Sequence, residues 1–177
     1  MPESAANIWA PWRAEYVRQL GPAADGCFLC DYWSTPASDA ANFVLWRTRL
    51  SLVLFNRYPY TNGHLLIATA RHVARLDGLS DAEQLELLRL SADAQAVLER
   101  AIAPHGFNIG VNLGRCAGAG LPDHLHLHLV PRWNGDTNFM SVVGDVRVIL
   151  QSIEALHAEL RSAADSMGLP RDRQGSP

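Results

Sequence analysis

The chain has 177 residues, 48% of them apolar and 19% charged, the proportions of an ordinary globular domain and not of a disordered or fibrous chain. Fifteen basic against eighteen acidic residues give a formal charge of -3 with no Lys/Arg cluster, which argues against a nucleic-acid polymer as partner. No apolar run reaches the ~20 residues of a membrane span, and the N-terminus lacks a charged stretch followed by an apolar one, so the expected location is cytoplasmic, away from membranes.

In chain order, Pro11 and Gly21 bracket a predicted short amphipathic helix with Trp12, Tyr16, Val17 and Leu20 on one face. A loop then leads to Cys27. The three cysteines, Cys27, Cys30 and Cys116, do not make a disulfide framework. Cys27-Phe-Leu-Cys30 reads as a pair of metal ligands or a redox pair, and Cys116 as incidental. Phe43 to Trp46 and Leu52 to Phe55 are apolar runs parted by Arg47-Thr-Arg49, a predicted strand pair. Tyr58-Pro-Tyr-Thr-Asn-Gly63 is turn chemistry, and His64 to Thr69 resumes as a strand.

Ser80 with Glu83 makes a capping-box signature for a helix running to about Ala103. Leu85, Leu88, Ala92, Ala96 and Val97 form its expected apolar face, and Pro104 ends it. Phe107 to Asn112 is a predicted strand, followed by the glycine-rich loop Gly114 to Gly120 and the strand His124 to Pro131. A second long helix is expected from about Asp145 to Met167, with Val148, Ile149, Ile153, Leu156 and Leu160 on one face. His105 and His157 read as surface residues, and the polar tail from Gly168 to Pro177 as frayed. The sum is one α+β domain over residues 1–167 on a mostly antiparallel sheet.

The chemistry concentrates in His124-Leu-His126-Leu-His128-Leu-Val-Pro131. Strict alternation puts three imidazoles on one face of a strand and Leu125, Leu127 and Leu129 on the other. Rings at i and i+2 stand roughly 6.7 Å apart at Cα, while the outer pair stands about 13 Å apart, too far to share an ion with ~2 Å bonds. The three rings therefore divide their duties. Gly118-Ala-Gly120, just before the strand, lets backbone N–H groups approach a phosphate, and a neutral imidazole is a competent nucleophile toward phosphorus.

This strand resembles the signature of the histidine triad (HIT) family of nucleotide hydrolases and transferases. Ile8-Trp-Ala-Pro-Trp-Arg13, Cys27 to Cys30, Tyr58-Pro-Tyr60 with Gly63-His64, and Pro131 to Met140 are similar to the branch containing diadenosine tetraphosphate phosphorylases. The resemblance implies a HIT-like fold: an antiparallel sheet of about five strands, one central helix and a C-terminal helix. It also implies a homodimer whose sheets join. His126 would attack the α-phosphorus and carry the nucleotidyl group, with His128 against the phosphate. His64, Asn112 and the amides near Gly118 and Gly120 would line the phosphate pocket. Asn56 would bind ribose, and Leu54 or Phe55 would flank the adenine. Cys27, Cys30, His72 and His124 would hold a structural zinc, with no organic cofactor.

Two departures matter. The loop Gly120-Leu-Pro-Asp123 lacks the Gln followed by Ser or Thr found before the triad in many hydrolytic relatives, so the hydroxyl that assists the leaving group is missing. His128 is retained where some phosphorylase relatives have Gln. The implied activity is nucleotidyl transfer from adenine dinucleotides through a nucleotidyl-histidine, with phosphorolysis favoured. The alternatives are hydrolysis of dinucleoside polyphosphates or nucleoside phosphoramidates, and nucleotide binding with little turnover.

Overall fold

The structure, a computed structural model, describes residues 26–136 and 149–171. The helix expected between Pro11 and Gly21, Val148, and the motif residues 8–13 and 137–140 lie outside the described residues, as do the last six of the tail.

The described elements are α1 (Phe28–Ser34), β1 (Val44–Arg47), β2 (Ser51–Phe55), β3 (Leu65–Thr69), α2 (Asp81–Ile102), β4 (Gly106–Val111), β5 (His126–Arg132) and α3 (Ile153–Met167). The strands form one antiparallel sheet in the order β1-β2-β3-β5-β4, as expected of an α+β fold. β2 and β3 are buried along their whole length because helices cover both faces. Val53, Phe55, Leu65, Ile67, Leu127 and Leu129 face α2 and α3. Leu52, Leu54, Leu66 and Ala68 face Leu29 of α1. A fully buried leucine in such a core contributes about 2 kcal/mol.

Helix α2 starts as its sequence dictates. The Ser80 side chain accepts from the Glu83 amide, and the Glu83 carboxylate accepts from the Ser80 amide. Glu83 also takes both ends of the Arg71 guanidinium, at 2.7 and 2.6 Å, which pins the turn after β3 to the helix start. The expected apolar face is corrected in part: Val97 is buried and Ala96 half-buried as expected, whereas Leu85, Leu88 and Ala92 are exposed and Leu87, Leu90, Ala94 and Leu98 are buried. This helix carries leucine on two adjacent faces, and the position of the sheet selects one of them.

Three further expectations are corrected. Helix α3 begins at Ile153, where Ser152 accepts from the Ala155 amide, so Ile149 lies before it. His157 is buried, with Nε2 donating to the Val44 carbonyl at 3.1 Å and its ring edge-on to Phe43 and Phe55. Beyond residue 167, Leu169 packs into the core and the Arg171 amide donates to Asp93, so the chain is held past the expected boundary. Helix α1 occupies a stretch for which the sequence offered only a cysteine spacing. Arg47 ties its end to β1 by donating to the carbonyls of Tyr32 and Trp33 and to Asp39.

Candidate active site

Register lays out the site. His126 pairs with Ala68 and His128 with Leu66 across β3, while His128 faces Gly110 across β4. The imidazoles thus stand on the α1 face of the sheet, with Leu125, Leu127 and Leu129 in the opposite core. Each ring has its own partners, as the spacing argument required.

His126 is fixed by backbone. Its Nδ1 lies 2.8 Å from the carbonyl of His124. A carbonyl only accepts, so Nδ1 carries the hydrogen and Nε2 keeps its lone pair. Burial lowers the pKa of His126 and so favours the neutral ring.

His128 is fixed through His64. The Tyr60 amide donates to His64 Nδ1 at 3.1 Å, and the Asn56 amide nitrogen stands 3.3 Å from the same atom. Neutral His64 therefore carries its hydrogen on Nε2, which donates to His128 Nδ1 at 2.9 Å. Neutral His128 in turn carries its hydrogen on Nε2, and the Asn112 amide 3.5 Å away meets it as an acceptor only with its oxygen turned toward the ring, the flip that exchanges Oδ1 and Nδ2. Burial, and then the neighbouring His126, push the His128 pKa down to about 4.

These rings border a cleft of about 430 Å³. Asn56, Gly118, Gly120, His126 and His128 line it, whereas His64 and Asn112 stand behind these residues, each in contact with His128. Gly118 sits at φ +88, a conformation that favours glycine, with open space where a Cβ would stand. Phe28, Tyr32, Leu54, Leu66 and Leu121 supply an apolar wall. Leu54 and Phe55 separate here: Leu54 packs with Leu66 beneath α1, while Phe55 borders the cleft but turns its ring into the opposite core. Phe28, Tyr32, Leu121 and Tyr60 are cleft residues that sequence reasoning missed. The Cys-Phe-Leu-Cys spacing contained Phe28 and the Tyr58-Pro-Tyr60 motif contained Tyr60, and the strand alternation could have separated Leu54 from Phe55.

At the other end of the histidine strand, Cys27, Cys30, His72 and His124 converge, with one ligand atom from each lying within 4.8 Å of the others. His124 Nε2 donates to the Thr69 carbonyl at 2.7 Å, which leaves Nδ1 free toward Cys27 Sγ at 3.1 Å. His72 Nδ1 lies 3.2 Å from Cys30 Sγ. Burial, then Cys27 and Asp31, push the Cys30 thiol up to about 11. Two sulfurs with two imidazole nitrogens match a tetrahedral metal centre. The group could hold a metal ion. The redox-pair reading of the cysteines gains nothing from this arrangement, which brings two histidines onto the sulfurs. His105 is exposed, as expected.

Comparison with known proteins agrees with this geometry. The HIT domain family model matches residues 37–135. A Mycobacterium tuberculosis protein named AP-4-A phosphorylase is 38% identical over 150 residues, covering 82% of this chain and 77% of that protein. A Schizosaccharomyces pombe bis(5'-nucleosyl)-tetraphosphatase (asymmetrical) is 36% identical over 93 residues, 52% of this chain and 50% of that protein. Among solved structures, a Zn-bound histidine triad family protein from Mycobacterium smegmatis shares the fold. Its TM-score is 0.65 at 23% identity, covering 81% of this chain and 98% of that one.

Proposed function

This chain belongs to the HIT domain family, and from that premise we propose that it transfers an adenylyl group from a dinucleoside polyphosphate such as diadenosine tetraphosphate, through a covalent bond to His126, onto inorganic phosphate. The observation that carries the reading is the 2.8 Å bond from His126 Nδ1 to the His124 carbonyl, which leaves an Nε2 lone pair on a ring that lines the cleft. Nε2 attacks the α-phosphorus, the bond to the bridging oxygen breaks, and ATP leaves. The positive charge that develops on the ring is held by Nδ1–H against the carbonyl. An oxygen of inorganic phosphate then attacks the same phosphorus, releasing ADP and restoring neutral His126.

The His128 Nε2–H donates to a phosphate oxygen with Asn112 beside it, and the backbone near Gly118 and Gly120 holds the others. Asn56 takes the ribose, and the wall of Phe28, Tyr32 and Leu54 takes the base. The 38% identity to the named phosphorylase supports phosphate as acceptor. Hydrolysis is the second reading, favoured by the tetraphosphatase relative and by a Schizosaccharomyces pombe adenosine 5'-monophosphoramidase at 28% identity. Turnover of diadenosine tetraphosphate with and without millimolar phosphate separates them: phosphorolysis gives ADP with ATP, and hydrolysis gives AMP with ATP at any phosphate concentration.

The Cys27, Cys30, His72 and His124 group fits zinc, which would fasten α1 and the turn after β3 to the start of β5. For assembly, β4 stands at an edge of the sheet with Ile109 exposed, which supports a homodimer joined along that edge. Among the described residues no helix is long and apolar enough to cross a membrane.

A further inference from the structure

Tyr60 sits in the turn between β2 and β3 and belongs to neither core cluster. The residue is 42% exposed, yet its ring lies on two buried or half-buried imidazoles at once. The ring centroid is 4.6 Å from that of His64 and 5.8 Å from that of His128, at only 17° to the His128 plane. His64 and His128 are 5.2 Å apart, so the three rings close a triangle. The same residue reaches the pair by backbone, because the Tyr60 amide donates to His64 Nδ1.

We propose that Tyr60 is a positioning residue, its amide and its ring together locking the His64–His128 pair in the one arrangement that points His128 Nε2–H into the cleft. The amide sets which nitrogen of His64 bears hydrogen, and the bond from His64 Nε2 passes that choice to His128. The bond alone does not hold a ring, since an imidazole rotates about its Cβ–Cγ axis and exchanges its nitrogens with its carbons. A phenol ring lying nearly parallel on His128 blocks that rotation from one side, and His126, edge-on at 5.0 Å, stands on another. An aromatic side chain is spent here on two histidines instead of on the core, and the turn that carries it is fastened by Thr61 donating to the Pro131 carbonyl.

The proposal rests on His128 serving the phosphate, and its test keeps the two apart by reading kinetics and ring nitrogens separately. Tyr60→Ala and Tyr60→Phe are compared with the wild type in steady-state turnover of diadenosine tetraphosphate and in 15N spectra of the histidine rings. With the ring removed, kcat falls about tenfold or more while KM stays within about threefold, as loss of orientation dictates. The His128 signal moves from a single Nε2–H form to a mixture of both forms. Tyr60→Phe, which keeps both the ring and the amide, retains the single Nε2–H form of His128. The proposal is overturned if Tyr60→Ala leaves the His128 nitrogens unchanged, whether or not kcat falls. It is also overturned if only KM rises, or if Tyr60→Phe shows the same mixture of His128 forms as Tyr60→Ala. Should His126 carry no nucleotidyl group even in the wild type, the nitrogen spectra of Tyr60→Ala still decide the role of Tyr60.

Discussion

Replacing Glu83 by Gln probes the join between the β3 turn and α2, one residue from a candidate metal ligand. The carboxylate accepts four bonds: two from Arg71, at 2.7 and 2.6 Å, and two from the Ser80 amide and hydroxyl, at 2.8 Å each. The Arg71 bonds, then those from Ser80, hold the Glu83 carboxyl at about 2, against an ordinary 4.5. A displacement of that size corresponds to at most ~3–4 kcal/mol. Arg71 is 56% exposed while Glu83 is only 3% exposed, so water screens the pair and roughly 1–2 kcal/mol is the realistic contribution. The folded pKa is depressed, so the contribution is complete above the unfolded value of 4.5 and disappears as pH falls through 4.5 toward 2. Urea unfolding of wild type and Glu83→Gln measures it: a gap of about 1–2 kcal/mol at pH 7 that narrows steadily below pH 5. A gap that stays constant between pH 7 and pH 3 would refute the reasoning, since the loss would then owe nothing to ionisation.

Three other outcomes follow from the geometry. His128 is held neutral, with its pKa near 4 against an ordinary 6.5; between those values the unfolded chain binds a proton that the folded chain does not, so stability falls with pH across that window. The unfolding free energy of wild type relative to His128→Asn should decline from pH 7 to pH 4.5, and a flat difference contradicts the assignment. Gly63→Ala places a Cβ 2.8 Å from Ile102 Cδ1 and 3.0 Å from Leu98 Cδ2 at φ +77. It should destabilise by about 2–4 kcal/mol, readable as an earlier urea midpoint. Stripping metal with a chelator should lower the melting temperature, and about one zinc per chain should restore it; a protein that carries no zinc when purified without chelator and melts unchanged lacks the site.

Legibility in the sequence tracked how local each determinant was. The β5 alternation declared its own two faces, because a strand sends successive side chains to opposite sides whatever surrounds it. The ends of α2 were equally plain, since Ser80, Glu83 and Pro104 act within one turn. Its buried face was not: Leu85 and Leu88 satisfy a helical period as well as Leu87 and Leu90, and only the sheet beneath breaks the tie. His157 was out of reach for the same reason, its partner carbonyl on Val44 lying 113 residues away. Asn56, Gly118, Gly120, His126 and His128, all singled out by motif, line the cleft. The cleft's apolar wall depends on how α1 lies over β2 and β3, a placement no local pattern encodes. Tyr60 stood within the Tyr58-Pro-Tyr60 motif, but its ring contacts with His64 and His128 depend on how that turn folds against β5.

Covalent capture at His126 tests the central claim most directly. Protein mixed with diadenosine tetraphosphate in the absence of phosphate, quenched in alkali within one turnover and digested, is read by mass spectrometry for an AMP adduct. The mechanism predicts the adduct on the peptide that contains His126, its discharge as ADP when phosphate is added, and in His126→Ala no adduct with turnover reduced by ~10²-fold or more. Products forming at full rate in His126→Ala, or an adduct on a different residue, would contradict it.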